Sequence, residues 1–154
     1  MPELTVNDRP LEVSPGMTLL QAIRQAGEQL PTLCHWEGLS PYGACRLCLV
    51  ELSGPEVENS YSEPEVVAAC TYPVSEGLVV DTNGPRATAA RRMILEFMLA
   101  RCPNSARIQE LAAESGVKQT RFVANGNEEE LCILCGLCVR ICRDLVGAAA
   151  ISFI

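Results

Sequence analysis

The alternation of apolar and polar residues near the start of the chain predicts a β-hairpin followed by a short helix. Residues 4–7 and 11–13 alternate on either side of a turn-rich link, as two paired strands do. Thr18 can cap a helix that runs to about Ala26, where Gly27 would end it. The apolar stripe expected on this helix consists of Leu19, Leu20, Ala22 and Ile23.

The same patterns predict two further strands and two further helices. Residues 49–52 and 78–81 alternate as half-buried strands do. Residues 86–101 and 105–115 carry apolar residues at helical spacing, and Pro85 suits the first turn of the former helix. The stripe that we expect to face the core on that helix consists of Ala90, Met93, Ile94, Phe97 and Met98.

Four cysteines in the first half of the chain have the spacing of metal ligands. Cys34, Cys45, Cys48 and Cys70 are separated by ten, two and twenty-one residues. Gly43, which has no side chain, precedes the close pair Cys45 and Cys48, so backbone N–H groups can approach inorganic sulfide there. The layout is similar to the plant-type 2Fe-2S pattern, with a first gap of ten residues in place of four. A Rieske centre needs two histidines, and the sequence contains only one.

Composition and charge narrow the class of protein. Nine cysteines and no secretory leader indicate a reducing, cytoplasmic compartment, where clustered cysteines bind metal more often than they form disulfides. The longest apolar run, 145–154, is too short to span a bilayer, so we expect no membrane insertion. The net charge of −7 disfavours nucleic-acid binding.

The charge is distributed unevenly along the chain. Residues 1–85 contain three Arg against twelve Asp plus Glu, whereas residues 86–154 contain nine Lys plus Arg against seven acidic residues. Two solvated surfaces would explain this difference, and so would two halves that face different neighbours.

The first four cysteines lie in a segment that resembles the 2Fe-2S domain at the start of the cluster-rich subunit of respiratory complex I. The gap of ten residues, the Ala-Cys pair that ends at Cys70 and the following Pro73-Val74 carry the resemblance. Related segments open the diaphorase or iron-sulfur subunits of NAD-linked, electron-bifurcating hydrogenases, formate dehydrogenases and transhydrogenases. The resemblance implies a 2Fe-2S cluster on these four cysteines. An insert at 54–64 would bulge from the surface.

The order of the predicted elements indicates an α+β fold in three parts. Two strands, a helix, the cluster loop and further strands follow the order of a β-grasp ferredoxin domain, which we expect at residues 1–84. A helical linker at 85–126 and a 4Fe-4S ferredoxin-like segment at 127–154 would complete the chain. Family members usually carry a His-Pro and three cysteines for a further 4Fe-4S cluster in the linker. This chain has only Cys102 there, which we expect to be a buried small hydrophobe.

A second cysteine run near the end of the chain predicts a 4Fe-4S cluster. Cys132, Cys135, Cys138 and Cys142 form C-x2-C-x2-C-x3-C, the bacterial ferredoxin run. Zinc competes, but zinc sites usually use two separated pairs of ligands. Cys142, Cys102 or a residue of another chain could be the fourth ligand, and we favour Cys142 because it needs nothing outside the run. A homodimer contact at this segment could also rebuild a two-cluster ferredoxin.

The motifs of nucleotide binding and hydrolysis do not occur in this sequence. It has no G-x-G-x-x-G after a strand, no Walker A run and no Ser-His-Asp set, so we expect no catalytic residues. The resemblance implies an electron-transfer subunit of a hetero-oligomeric NAD(P)H-linked oxidoreductase. Its partners would be a flavin- and NAD(H)-binding subunit, or another flavoprotein, and a second redox protein such as a ferredoxin. A free-standing shuttle ferredoxin and an iron-sulfur redox sensor are the alternatives.

Overall fold

Five strands and four α-helices make up the part of the chain that the computed structural model describes, residues 1–55, 57, 63–123 and 131–153. The last helix continues as one π-helical turn, Ile141–Leu145. The predicted hairpin, strands and three helices are confirmed. In chain order the elements are β1 (Glu3–Val6), β2 (Arg9–Glu12), α1 (Leu19–Gln25), β3 (Leu49–Ser53), β4 (Glu65–Ala68), β5 (Val79–Asp81), α2 (Pro85–Arg101), α3 (Ala106–Glu114) and α4 (Leu137–Arg140).

The five strands form one mixed sheet in the order β2-β1-β5-β3-β4. Strand β1 pairs antiparallel with β2 and parallel with β5. Strand β3 pairs antiparallel with both β5 and β4. The first cysteine loop therefore leaves α1 and returns into β3, beside the centre of the sheet. The α+β class predicted from the sequence is confirmed.

Helix α1 begins with a capping box and buries its apolar stripe in the core. The Thr18 hydroxyl accepts the Gln21 N–H at 3.4 Å, and the Gln21 side chain accepts the Thr18 N–H at 2.8 Å. Gly27 follows the C-cap in the left-handed region, with φ of +83°. The predicted stripe is confirmed, because the buried residues of α1 are Leu19, Leu20, Ala22 and Ile23.

Strand β3 is buried on both faces, which differs from the half-buried strand that its alternation predicts. Val50 and Leu52 lie in the core that α1 covers. Glu51, on the opposite face, is only 6% exposed. The reason is that α2 lies against this face, so the polar position does not reach solvent.

The carboxylate of Glu51 caps helix α2 from outside the helix. Its Oε1 accepts the backbone N–H groups of Arg86 at 2.6 Å and Ala87 at 3.2 Å. The N-cap residue of α2 is Gly84, which has no side chain to fill this role. A Cβ atom at Gly84 would overlap the Glu51 carboxylate. Gly84 and Glu51 therefore act together to hold the start of α2 against the sheet. The negative charge of Glu51 lies at the positive end of the helix.

Arg91 fastens the middle of α2 to the same sheet. Its Nη1 donates to the Leu49 carbonyl at 2.6 Å, and its Nη2 donates to the Thr82 carbonyl at 2.9 Å. Together with the Glu51 cap, these bonds fix the rotation of α2 about its own axis.

That rotation makes the predicted apolar stripe of α2 wrong at two positions. Met93 is 45% exposed and Phe97 is 50% exposed, whereas Leu95 is fully buried. Phe97 stacks on Phe122 with ring centroids 4.2 Å apart. Ala90, Ile94 and Met98 are partly buried against the core, as the stripe predicts.

Helix α3 packs on α2 and buries Ile108, Leu111 and Ala112, as predicted. Arg92 and Glu96 of α2 help to hold the segment that leaves α3. The Arg92 Nε donates to the Ser115 carbonyl at 3.0 Å, and Glu96 pairs with Arg121 at 2.7 Å.

Two predictions fall partly outside the described residues. The surface insert at 54–64 includes positions 56 and 58–62, of which nothing is described, and its Val57 is buried. The predicted boundary between residues 126 and 127 lies in the undescribed range 124–130. Among the helices of the described part, none has both the length and the apolar character of a membrane span.

We expect Glu51→Ala to lower the free energy of unfolding by about 2 kcal/mol, because two backbone N–H groups at the start of α2, one part-buried and one buried, lose their charged acceptor. Glu51→Gln keeps an acceptor and should lose about half as much. Denaturant unfolding of the purified chain followed by circular dichroism measures both losses. Glu65→Ala, at an exposed position of β4, is the matched control and should stay within about 0.5 kcal/mol of wild type. Equal losses in Glu51→Ala and Glu65→Ala would contradict the capping role.

Candidate metal centres

The four cysteines of the first motif are buried and arranged as two pairs. Cys34 is hydrogen-bonded to Cys45, and Cys48 to Cys70, through their thiols. The first pair packs with α2 and α3, whereas the second pair packs in the core of the sheet. The structure thus pairs the four residues that the spacing selects, and the charge of Cys45 acts on both thiols of the other pair.

The hydrogen bond within each pair separates the pKa values of its two thiols. The bond from Cys34 lowers the pKa of Cys45 to about 5, and the bond from Cys48 lowers the pKa of Cys70 to about 7. The same bonds, together with burial, raise the pKa of Cys34 and Cys48 well above the usual range of a thiol. Each buried pair therefore holds one negative charge readily and needs a cation before it holds a second.

Backbone amides of the turn around Cys45 face the sulfur atoms. The Cys45 N–H donates to the Cys34 sulfur at 3.4 Å. These amides favour the thiolate forms, as the bare backbone at Gly43 predicts. Further amide–sulfur contacts from this turn include those of Ala44 with Cys34, Leu47 with Cys45, and Gly43 with Cys70.

Two residues in the left-handed region give this turn its shape. Gly43 has φ of +69°, and Arg46 has φ of +57°. A Cβ atom at Gly43 would lie 3.0 Å from the Cγ2 of Thr71, the residue that follows Cys70. Only glycine fits at position 43 without strain, because both its φ and its close neighbour disfavour a side chain. The conformation of Arg46 carries no signal in the sequence.

The second cysteine run is more open than the first. Leu134 and Gly136 adopt φ of +55° and +74°, so the chain turns between successive cysteines before α4 begins. Within the described ranges, no three His, Cys, Asp or Glu side chains gather as ligands of a single ion. The run comprises the exposed Cys132 and Cys138, the partly buried Cys135 and the buried Cys142.

Both candidates for a fourth ligand in this chain are buried, but they have different neighbours. The Cys102 thiol donates to the Cys132 carbonyl at 3.4 Å, and the Arg101 Nε donates to the same oxygen at 3.2 Å. The sulfur of Cys142 accepts the Ala150 N–H at 3.3 Å. The prediction that Cys102 is buried is confirmed, since it is 0% exposed.

The two cysteine motifs are in contact through residues that the sequence analysis did not single out. Cys135 packs against the buried cluster that contains Cys34 and Cys45. Arg140, which is 5% exposed, extends from α4 into the first site. Its Nη1 donates to the Cys34 carbonyl at 2.9 Å. An arginine within a short helix carries no sequence signal of burial, so only the structure reveals this contact.

The first site has the donor set of a two-iron centre. Four buried thiols are arranged in pairs, two for each metal position, and amide N–H groups surround the sulfurs. These residues therefore fit a 2Fe-2S cluster.

Known proteins similar to this chain belong to NADH-linked oxidoreductases. The chain is 31% identical over 176 aligned residues to an NADH-quinone oxidoreductase subunit of Rhizobium meliloti, covering 99% of this chain and 20% of that protein. It is 32% identical over 170 residues to the mitochondrial NADH-ubiquinone oxidoreductase 78 kDa subunit of Neurospora crassa, covering 95% and 22%. It thus spans about a fifth of the length of these two relatives.

A solved structure has the same fold over nearly the whole chain. The crystal structure of an NAD+-reducing NiFe hydrogenase in its H2-reduced state matches with a TM-score of 0.81 and 28% identity, covering 98% of this chain and 69% of that one. Residues 2–85 match the family described as a 2Fe-2S iron-sulfur cluster binding domain, and they include all four cysteines of the first site. The chain therefore belongs to the family of 2Fe-2S iron-sulfur cluster binding domains.

Proposed function

We propose that this chain relays single electrons between a flavin- and NAD(H)-binding subunit and a second redox partner in an NADH-linked oxidoreductase complex. The observation that carries the proposal is the contact between the two cysteine motifs, in which Cys135 packs on the cluster around Cys34 and Cys45. Two redox centres that are this close could pass an electron through the protein. The NADH and NAD+ chemistry in the names of its relatives supports the choice of partners.

In this proposal Cys34 and Cys45 hold one iron of a 2Fe-2S cluster, and Cys48 and Cys70 hold the other. A bound 2Fe-2S cluster would supply one-electron oxidation and reduction. The backbone N–H groups of residues 43–47 offset the negative charge on the sulfurs. Burial of all four cysteines keeps water away from the sulfurs.

We propose a 4Fe-4S cluster on Cys132, Cys135, Cys138 and Cys142. Cys138 and Cys142 are four residues apart in one helical segment, so their side chains share a face. Cys142 suits the fourth position better than Cys102, whose thiol is directed at the Cys132 carbonyl. The chain would then divide into a 2Fe-2S β-grasp domain at 1–84, a helical linker at 85–126 and a ferredoxin-like segment at 127–154.

The proposal extends to the setting in which the chain works. Nine cysteines in 154 residues favour a reducing compartment, which we take to be the cytoplasm. The hetero-oligomer would include a flavoprotein subunit of the complex I type. In the electron-bifurcating version of this proposal, a ferredoxin is the second redox partner.

We expect Cys45→Ser to abolish the 2Fe-2S signal in EPR spectra and to lower NADH-driven electron transfer by the assembled complex about 100-fold or more, because one iron loses a thiolate. Activity of the purified complex and its composition on a sizing column are the measurements. Cys102→Ala, which removes a buried thiol outside both proposed ligand sets, is the control and should keep the signal. Unchanged turnover in an intact Cys45→Ser complex would refute the proposed electron path.

Iron and sulfide analysis of the anaerobically isolated chain tests the second centre. We expect ~6 iron and ~6 sulfide ions per chain, with one 2Fe-2S and one 4Fe-4S signal in EPR. Cys142→Ala should retain ~2 iron ions, since only the 2Fe-2S cluster remains, whereas Cys102→Ala should retain ~6. Loss of four iron ions from Cys102→Ala but not from Cys142→Ala would assign the fourth ligand to Cys102.

A further inference from the structure

We propose that Arg140 is a positioning residue for the 2Fe-2S site, which holds the Cys34 end of the ligand loop and places a fixed positive charge beside it. This inference rests on the proposed 2Fe-2S site. It gives a residue of the second cysteine run a role in setting the redox potential of the proposed cluster at the first site.

The side chain of Arg140 contacts the loop between Cys34 and Cys45 at three positions. Its Nη1 donates to the Cys34 carbonyl at 2.9 Å, and its Nη2 donates to the Ser40 carbonyl. The guanidinium carbon lies 4.7 Å from the centroid of the Tyr42 ring. These contacts join three positions of the segment between Cys34 and Cys45, which has no strand or helix of its own. A planar guanidinium can bind two carbonyls and stack on a ring at once, which a lysine cannot do.

The backbone at the start of α4 is fitted to this arrangement. Gly136 has φ of +74°, and a Cβ atom there would lie 3.2 Å from the Tyr42 ring and 3.3 Å from the Phe153 ring. The close approach of Tyr42 to Gly136 brings the loop and the helix together one turn before Arg140. Arg140 therefore binds the loop as part of a packed contact between the loop and α4, and not through its own long side chain alone.

The charge of Arg140 is not cancelled by a contacting carboxylate. Both of its hydrogen-bond acceptors are neutral carbonyls. Asp144, one turn further along the same segment, pairs with Arg143 at 2.6 Å, and the charge of Arg140 acts on it less than that of Arg143 does. Among the described residues, no ion pair includes Arg140. Arg140 as a whole is 5% exposed, so water and dissolved salt screen the charge of its guanidinium poorly.

A fixed positive charge at this point favours the reduced form of the neighbouring centre. Reduction adds one negative charge to a site already held by four thiolates, in a half of the chain where acidic residues outnumber arginines by twelve to three. Arg140 is hydrogen-bonded to the backbone of Cys34, a proposed ligand. The electric field of its charge therefore reaches the site over a short distance and through protein rather than through water. Removing the charge should therefore lower the reduction potential of the 2Fe-2S cluster.

Redox titration of the 2Fe-2S EPR signal in the full chain tests this role. For Arg140→Met we expect the ratio of reduced to oxidised cluster at a fixed ambient potential to fall about tenfold, which is ~59 mV for one electron. Arg140→Lys keeps the charge and should recover most of that ratio. It cannot bind both carbonyls, however, so a chelator should remove its 2Fe-2S iron faster than from wild type. Arg143→Met, which removes an exposed, paired arginine from the same segment, is the matched control and should stay within about twofold of wild type.

The possible results separate this inference from the proposed function. A wild-type chain without a 2Fe-2S signal refutes the proposed function and the inference with it. A wild-type signal whose potential is unchanged in Arg140→Met refutes the inference alone, as does an equal shift in Arg140→Met and Arg140→Lys. If Arg140→Met retains no cluster, an intact cluster of near-wild-type potential in Arg140→Lys supports the inference. Loss of the cluster from both variants refutes the role of the charge.

Discussion

The burial of four cysteine sulfurs in two pairs is the constraint on which the rest of this structure depends. A buried pair of thiols can hold one negative charge through a shared hydrogen bond, as the lowered pKa values of Cys45 and Cys70 show. Holding two charges requires compensation from cations and from directed N–H groups. The turn at residues 43–47 supplies the N–H groups because Gly43 and Arg46 adopt left-handed backbone conformations. The iron ions of the proposed cluster would supply the cations.

The helices after the sheet keep this site dry and in place. Glu51 and Arg91 bind α2 to the face of β3 that would otherwise meet solvent. Leu95 of α2 and Leu111 of α3 then close over the pair Cys34 and Cys45. In this chain the helices following the 2Fe-2S domain thus contribute to the walls of its site, even though the cysteines expected for a further cluster between them are missing.

The C-terminal cysteine run is in direct contact with the first site, although a helical linker separates the two in the sequence. Cys135 and Arg140 both contact the region of Cys34. A chain that relays electrons benefits from such a connection, because the distance between its centres is then set by packed side chains. Arg140 adds a charge to that connection, and α4 places it against the half of the chain in which acidic residues outnumber arginines by twelve to three.

The sequence by itself determined the local features of this protein. The spacing of the cysteines selected the four residues that meet in the first site, and Thr18, Gln21 and Gly27 define α1 through contacts within a few residues. Only the tertiary structure decided which polar residues are buried. Glu51 meets the start of α2 from 35 residues away, and Arg140 meets Cys34 from 106 residues away. Their burial depends on the docking of whole elements, and so does the exposure of Phe97. The periodicity of one segment does not contain that information, because it records which face is apolar and not which neighbour will cover it.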